Sequence, residues 1–317
     1  MPELPEVETT RASLAPVLVG AAIVRVVVRR DRMVRHQEQP SDFAARIIGR
    51  TILSVGRTGK FIIAGLSDSG GLAESGGPSE SGGLSDSGDL SESGGRPGSG
   101  AGVGEATMLW VTHLGMSGRV ALAVPGEPEA PHTNVVVAID GNAGPVEMRL
   151  VDPRTFGFVW ALTPEELSGS TLARLGWDAY TALPRARRLL GALAGRTAPI
   201  KALLLDQRIV SGLGNIYADE ALFRAGIDPR RPGGSLDVVE VGRLRRAIKV
   251  TLDAGLRWGG TTLDDLAYLL PDGRAGDFTR RLKVYGRTGE PCRRCGTPIT
   301  RIELRGRGTH FCPSCQS

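Results

Sequence analysis

The chain has 317 residues, 41% of them hydrophobic, and a formal net charge of +5. That length suits two or three domains, and that apolar content supports real cores. No run approaches the ~18 apolar residues of a membrane span, and the N-terminus lacks a signal peptide's basic-then-apolar pattern, so a soluble cytoplasmic protein with no membrane partner is expected.

In chain order, residues 6–18 place Val7, Leu14, Val17 and Leu18 at helical spacing and stop at Gly20. Residues 21–30 are rich in Val and Ile and read as a strand. A short helix over 43–49 is followed by strands at 51–55 and 60–66. Further strands are expected at 108–112, 119–124, 134–139, 146–150 and 156–162. Their alternation and turn residues predict an antiparallel β-sandwich of two sheets with flanking helices, over residues 1–162.

Five tandem six-residue units over 67–96 (SDSGGL, AESGGP, SESGGL, SDSGDL, SESGGR) interrupt this pattern. They offer almost nothing to bury, so residues 67–105 are expected to form a disordered insertion between two strands. A long flexible loop adds little closure entropy. The insertion carries seven acids and one base; +5 overall and −6 here leave +11 on the remainder. A basic body suits a polyanionic partner such as nucleic acid. Of the 39 bases, 35 are arginine, a skew that genomic base composition also produces. Only Lys60, Lys201, Lys249 and Lys283 are lysines.

From about residue 163 the periodicity becomes helical, with helices expected at 164–167, 184–193, 200–205, 215–224 and 238–257. A helical domain over 163–285 and a separate Cys-, Arg- and Gly-rich module over 286–317 complete a multidomain α+β organisation.

Four stretches carry chemistry. The chain opens Met1-Pro2-Glu3-Leu4-Pro5-Glu6-Val7-Glu8. Removal of Met1 would leave a terminal secondary amine; an α-amino group titrates near ~7.7–8.0, so a usable fraction is an uncharged nucleophile at neutral pH. Attack on a sugar aldehyde carbon would give an iminium, an electron sink for breaking adjacent bonds. Glu3 and Glu6 offer proton transfer beside it. The bland alternative is a stiff lead-in to a helix.

Cys292-Arg293-Arg294-Cys295 and Cys312-Pro313-Ser314-Cys315 form two CxxC knuckles with the spacing of a four-thiolate zinc site. With four sulfur ligands no coordination position is left for water, so one structural Zn2+ is expected; two disulfides or a redox pair are the alternatives. Arg301, Arg305, Arg307 and Thr309 lie between the knuckles on an expected β-hairpin. Gly212-Leu213-Gly214-Asn215-Ile216-Tyr217 opens a helix, with Asn215 as expected N-cap and Lys201 one helix earlier, and suits an anion such as phosphate. The turns His113–Gly118 and Asp152–Gly157 present Met116, Arg154 and Phe156. Core packing is the usual fate of Met and Phe, but beside a basic groove such residues can wedge into a base stack.

With these motifs in this order, the chain resembles bacterial formamidopyrimidine-DNA glycosylases over nearly its whole length, residues 67–105 excepted. The resemblance implies a helix–two-turns–helix DNA-binding domain, a zinc finger and a monomer acting on damaged double-stranded DNA at the nucleoid. The implied activity is excision of oxidised purines (8-oxoguanine and formamidopyrimidines) in base-excision repair, followed by β,δ-elimination at the abasic site. On that basis Pro2 is the amine nucleophile, Glu3 the proton donor and acceptor at the sugar, and Glu6 its support. Lys60 contacts DNA at the lesion and, with Arg307, serves as a proton donor in elimination. Met116, Arg154 and Phe156 fill the gap left by the flipped base, while His132, Lys201, Asn215, Tyr285 and Arg307 bind DNA. A loop capping the flipped base would fall around 272–278.

Two departures are local: Thr155 stands where a second basic residue is common, and His132-Thr133-Asn134 lacks a second imidazole. Leu4 favours this family over the endonuclease VIII type, which acts on oxidised pyrimidines. Intact Pro2, Glu3, Glu6 and Lys60 weigh against a non-catalytic DNA-binding zinc-finger protein.

Overall fold

The computed structural model describes residues 2–68, 106–262 and 268–317. Most of the acidic repeat therefore lies outside the described residues, as do 263–267. The first helix, α1 (Leu4–Leu18), joins the two halves of the molecule. Its Val7, Leu14 and Leu18 enter the sandwich core, whereas Leu4 is buried in the core of the helical half. Burying each such side chain contributes roughly 1.5–3 kcal/mol.

The strands follow as β1 (Ala22–Val28), β2 (Ile52–Thr58), β3 (Phe61–Leu66), β4 (Met108–His113), β5 (Arg119–Ala123), β6 (Thr133–Gly141), β7 (Gly144–Val151) and β8 (Phe158–Leu162). They form two four-stranded antiparallel sheets, ordered β1-β6-β7-β5 and β2-β3-β4-β8, as the alternation predicts. Ile23, Val137 and Leu150 of one sheet share a core with Ile62, Ala64 and Trp110 of the other. Helix α2 (Pro40–Ile47) adds Phe43, edge-on to Trp110. In the β2–β3 hairpin Thr58 pairs with Phe61, so Gly59 and Lys60 form the tip; Gly59 has φ of 57°, which glycine adopts at little cost.

The second half contains α3 (Pro164–Gly169), α4 (Ala186–Leu193), α5 (Ile200–Leu205), α6 (Asn215–Ala225) and α7 (Val238–Arg257). The long α7 is capped by Asp237, whose carboxylate accepts from the amides of Val239 and Glu240. Two short parallel strands, β9 (Trp177–Asp178) and β10 (Val210–Ser211), bring Asp178 to the domain junction. The terminal module is the expected hairpin, β11 (Thr300–Leu304) and β12 (Arg307–Phe311), turning through Arg305 (φ 49°) and Gly306 (φ 74°). Among the described residues no helix is long and apolar enough to cross a membrane.

One local expectation needs correction, and the bounds of one expected loop are narrower. Gly214, not Asn215, is the N-cap of α6; Asn215 is its first helical residue. The expected capping loop at 272–278 ends in packed structure. Phe278 is buried with its ring 5.5 Å from that of Tyr217, and the amides of Asp277 and Phe278 donate to the carbonyls of Trp258 and Gly260.

Candidate active site

Pro2 and Glu3 are buried where the sandwich meets the helical half. Leu4 N–H donates to the Gly212 carbonyl at 3.0 Å, which docks the N-terminal segment on the glycine-rich turn. The Glu3 carboxylate accepts from the amides of Ile216 (2.9 Å) and Tyr217 (3.2 Å), the first turn of α6. Free amides and the positive end of the helix dipole stabilise an anion there. The turn thus serves an anion, as its glycines suggest, but the anion is the chain's own Glu3 rather than a phosphate. Close approach requires glycine: a Cβ at Gly214 would lie 2.3 Å from Glu3 Cδ.

Glu6 fastens the same segment from the other side. It accepts from Glu3 N–H (2.9 Å), the Tyr217 hydroxyl (2.8 Å) and Thr261 N–H (2.6 Å). Tyr268 Oη donates to the Glu6 carbonyl at 3.1 Å. Tyr217 closes the glycine-rich motif, though its bond to Glu6 was not foreseen; Thr261 and Tyr268 have no motif around them and were not singled out by sequence reasoning.

Lys60 projects from the β2–β3 tip into this buried region and is 8% exposed. Burial pushes the Glu3 carboxyl up; Lys60 opposes that rise and Glu6 adds to it. Burial pushes the Lys60 ammonium down, against the pull of Glu3 and Glu6, with Arg307 adding to the fall. Both groups are therefore drawn toward neutrality, where proton exchange is easiest. The tip is held by Asp178, which accepts from both terminal nitrogens of Arg57 (2.6 and 3.1 Å) and from Gly59 N–H (2.9 Å). Arg57 also reaches Glu8 and the Gly59 carbonyl. Neither Arg57 nor Asp178 carries a recognisable motif.

The two large-residue turns are joined into one platform by Asp152, which is fully buried. Its carboxylate accepts from Ser117 Oγ (2.6 Å) and from the amides of Arg154 (3.2 Å) and Gly157 (2.7 Å). Arg154 Nε donates to Ser117 Oγ, and its guanidinium lies 5.8 Å from the Phe156 ring centre. Phe156 is 43% exposed, as a wedge requires, while Met116 is half-buried. Burial lowers the His113 imidazole to about 4, so its neutral Nδ1 accepts from Gly115 N–H and shapes the Met116 turn. His132 is exposed with φ of 66°, near Arg29, Arg30 and Arg32.

At the finger, Lys201 is buried and engaged: its ammonium pairs with Asp219 (2.7 Å) and donates to the Gly308 carbonyl and Thr309 Oγ1 (both 2.9 Å). Asn215 Nδ2 donates to the same Gly308 carbonyl at 3.0 Å. Lys201 and Asn215 thus grip the hairpin that displays Arg307, which is exposed. Tyr285 packs edge-on to His310 at 4.9 Å. Glu220 accepts from the amides of Lys283, Val284 and Tyr285 and anchors the entry to the finger.

The Sγ atoms of Cys292, Cys295, Cys312 and Cys315 all lie within 4.8 Å of one another. Separations of 4.0 Å (Cys292–Cys315) and 3.5 Å (Cys295–Cys312) are too long for disulfides and fit tetrahedral thiolates ~2.3 Å from one metal. The site takes one structural zinc.

Three family models match in order: the formamidopyrimidine-DNA glycosylase N-terminal domain over residues 1–159, its H2TH domain over 175–266, and the zinc finger found in FPG and IleRS over 289–317. The formamidopyrimidine-DNA glycosylase of Geobacillus kaustophilus is 39% identical with both chains fully covered. The chain belongs to the formamidopyrimidine-DNA glycosylase family. That of Pseudomonas entomophila is 38% identical, again over the whole of both chains. Among solved structures, MutM (FPG) from Thermus thermophilus is 36% identical with a TM-score of 0.77, covering 99% of this chain and 98% of that one. A mutant Lactococcus lactis FPG in complex with Fapy-dG-containing DNA gives a TM-score of 0.80 at 28% identity, with full coverage of both.

Proposed function

We propose that this DNA glycosylase excises oxidised purines, 8-oxoguanine and formamidopyrimidines, from duplex DNA and then cleaves the abasic site by β,δ-elimination. The observation that carries this reading is the Pro2-Glu3 segment, fastened by Glu6 and the start of α6 and faced by Lys60. After Met1 is removed, the Pro2 nitrogen attacks C1′; the C1′–base bond breaks, its electron pair leaves with the base, and the departing base takes up a proton. The Pro2 nitrogen gives up its proton, and the C1′–O4′ bond breaks with O4′ taking up a proton. The C1′=N iminium so formed acidifies the C2′ proton, whose loss expels the 3′ phosphate; a second elimination expels the 5′ phosphate. Glu3 carries protons at the sugar, supported by Glu6, and Lys60 and Arg307 supply protons during elimination.

Met116, Arg154 and Phe156 fill the space of the flipped nucleotide, where extrusion costs a few kcal/mol and less for a damaged pair. His132, Tyr285 and Arg307 contact DNA, with Lys201 and Asn215 setting the finger hairpin against the phosphates. The reading divides the chain at 1–162, 163–285 and 286–317. It also has the protein act as a monomer on damaged duplex at the bacterial nucleoid, with the acidic repeat a passive tether.

The test is borohydride trapping on a duplex with 8-oxoguanine opposite cytosine, comparing wild type, Pro2→Gly and protein retaining Met1. The expected result is a covalent adduct in the wild type that is lost when Met1 blocks the amine. Tight DNA binding with no adduct would overturn the catalytic reading, and an adduct confined to oxidised pyrimidines would move the specificity to the endonuclease VIII type.

A further inference from the structure

A cleft of about 520 Å³ lies at the other end of α6 from Glu3, between α6, α7, the turn at Phe278–Arg281 and the first cysteine knuckle. Ile216, which binds Glu3, and Phe223, which lines the cleft, are two turns apart, ~10 Å along the helix. This is a second concavity, separate from the Pro2–Glu3–Lys60 centre.

Its walls are strongly basic: Arg224, Arg280, Arg281, Lys283, Arg293 and Arg294 all line it. Among the described residues, the one carboxylate in the lining, Glu220, is turned onto the amides of Lys283, Val284 and Tyr285. Asp277 is shared between Arg280 (3.2 Å) and Arg281 (3.5 Å), so it does not cancel the surplus. The guanidinium groups are also placed: Arg294 sits 4.7 Å from the Phe223 ring centre and Arg281 3.3 Å from that of Trp258.

Two buried polar atoms in the same wall, Thr251 Oγ1 and Arg281 Nε, have no hydrogen-bond partner among the described residues. Thr251 is only 3% exposed. A helical threonine ordinarily bonds back to a carbonyl one turn earlier, and an unmatched buried polar group costs about 1–3 kcal/mol. Buried native polar groups are rarely left so, and two in one basic cleft mark a place shaped for an acceptor-rich ligand. Planar guanidinium forks match phosphate oxygens.

We propose that this cleft is a second anion site that binds phosphate groups. Its ligand is either the DNA backbone beyond the lesion or a small phosphorylated molecule; the chemistry that recognises them is the same. The cationic walls supply charge, and Thr251 Oγ1 and Arg281 Nε supply directed donors.

The test is calorimetric titration of the zinc-loaded full chain with inorganic pyrophosphate at low salt. One saturable site is expected, weakened at least tenfold in Arg224→Ser/Arg294→Ser and several-fold in the near-isosteric Thr251→Val. The melting temperature of each variant checks folding, and Thr251→Val decides if the double variant melts early. Binding that survives both variants, or no saturable binding, would overturn the inference. The salt dependence of affinity for long undamaged duplex then separates the sources. DNA phosphates in the cleft would make the double variant's slope shallower by about 2, at ~0.9 per phosphate lost. An unchanged slope, with pyrophosphate and duplex bound together, would assign the cleft to a small molecule. Neither readout depends on excision, so failure here is distinct from failure of the glycosylase reading.

Discussion

Substituting Gly214 by Ala isolates the placement of Glu3 from every other property of the site. Gly214 has φ of −133° and ψ of −164°, an extended conformation open to alanine, so no backbone strain is introduced. The added Cβ would lie 2.3 Å from Glu3 Cδ and 2.6 Å from Oε1. Ordinary contact needs about 3.4 Å, so the carboxylate must retreat by roughly 1 Å, away from the Ile216 and Tyr217 amides. A misplacement of ~1 Å can cost ~10²-fold in rate, or about 2.7 kcal/mol of barrier. Stability should fall much less, roughly 0.5–1 kcal/mol for alanine in place of glycine at an N-cap. Gly212→Ala is a poorer probe, because φ of 98° and a 2.5 Å clash with Leu4 mix strain with displacement. The assay is single-turnover excision of 8-oxoguanine opposite cytosine, with thermal melting alongside. A Gly214→Ala enzyme of wild-type rate and wild-type stability would refute the assignment of Glu3 as a positioned proton carrier.

Asp178→Ala should destabilise the protein by about 1–3 kcal/mol, because it removes the bidentate partner of Arg57, 3% exposed at its side chain, and leaves Glu8 as its remaining carboxylate. It should also slow the chemical step by loosening the Lys60 tip, and denaturant melts with single-turnover rates read both; a neutral result on both would remove the clamp from the account. The raised Glu3 carboxyl keeps its proton to higher pH in the folded than in the unfolded chain. Its contribution to stability is therefore largest below the usual 4.5 and declines as pH climbs toward the folded value. Lys60→Met removes the opposing cation, so the Glu3 midpoint should move further up in a carboxyl-carbon NMR titration; a fixed or falling midpoint would show that the two groups do not interact. Chelating the zinc should release the hairpin gripped by Lys201 and Asn215 and lower duplex affinity at least tenfold by anisotropy, with recovery on adding zinc back. Undiminished affinity in zinc-free protein would take the finger out of DNA binding.

Features whose cause is local were legible in the sequence. The alternating apolar strands, the helical period of 238–257, the paired knuckles at Cys292–Cys295 and Cys312–Cys315 and the hairpin between them each follow from short-range spacing or turn chemistry. The Pro2-Glu3 opening, Gly212-Leu213-Gly214 and Lys60 could be picked out because their residue types are unusual where they stand. What those residues touch was decided only in three dimensions. The glycine-rich turn looked like a phosphate cradle, yet a buried Glu3 takes its amides because α1 brings the N-terminus across both cores. Lys201 looked like an exposed phosphate ligand, yet Asp219, Gly308 and Thr309, far away in the chain, enclose it. Thr261 and Tyr268 around Glu6, and Arg57 with Asp178 beneath Lys60, carry no local pattern at all. Their roles depend on hydrogen bonds between residues tens to hundreds of positions apart, which composition and spacing do not encode and packing alone specifies.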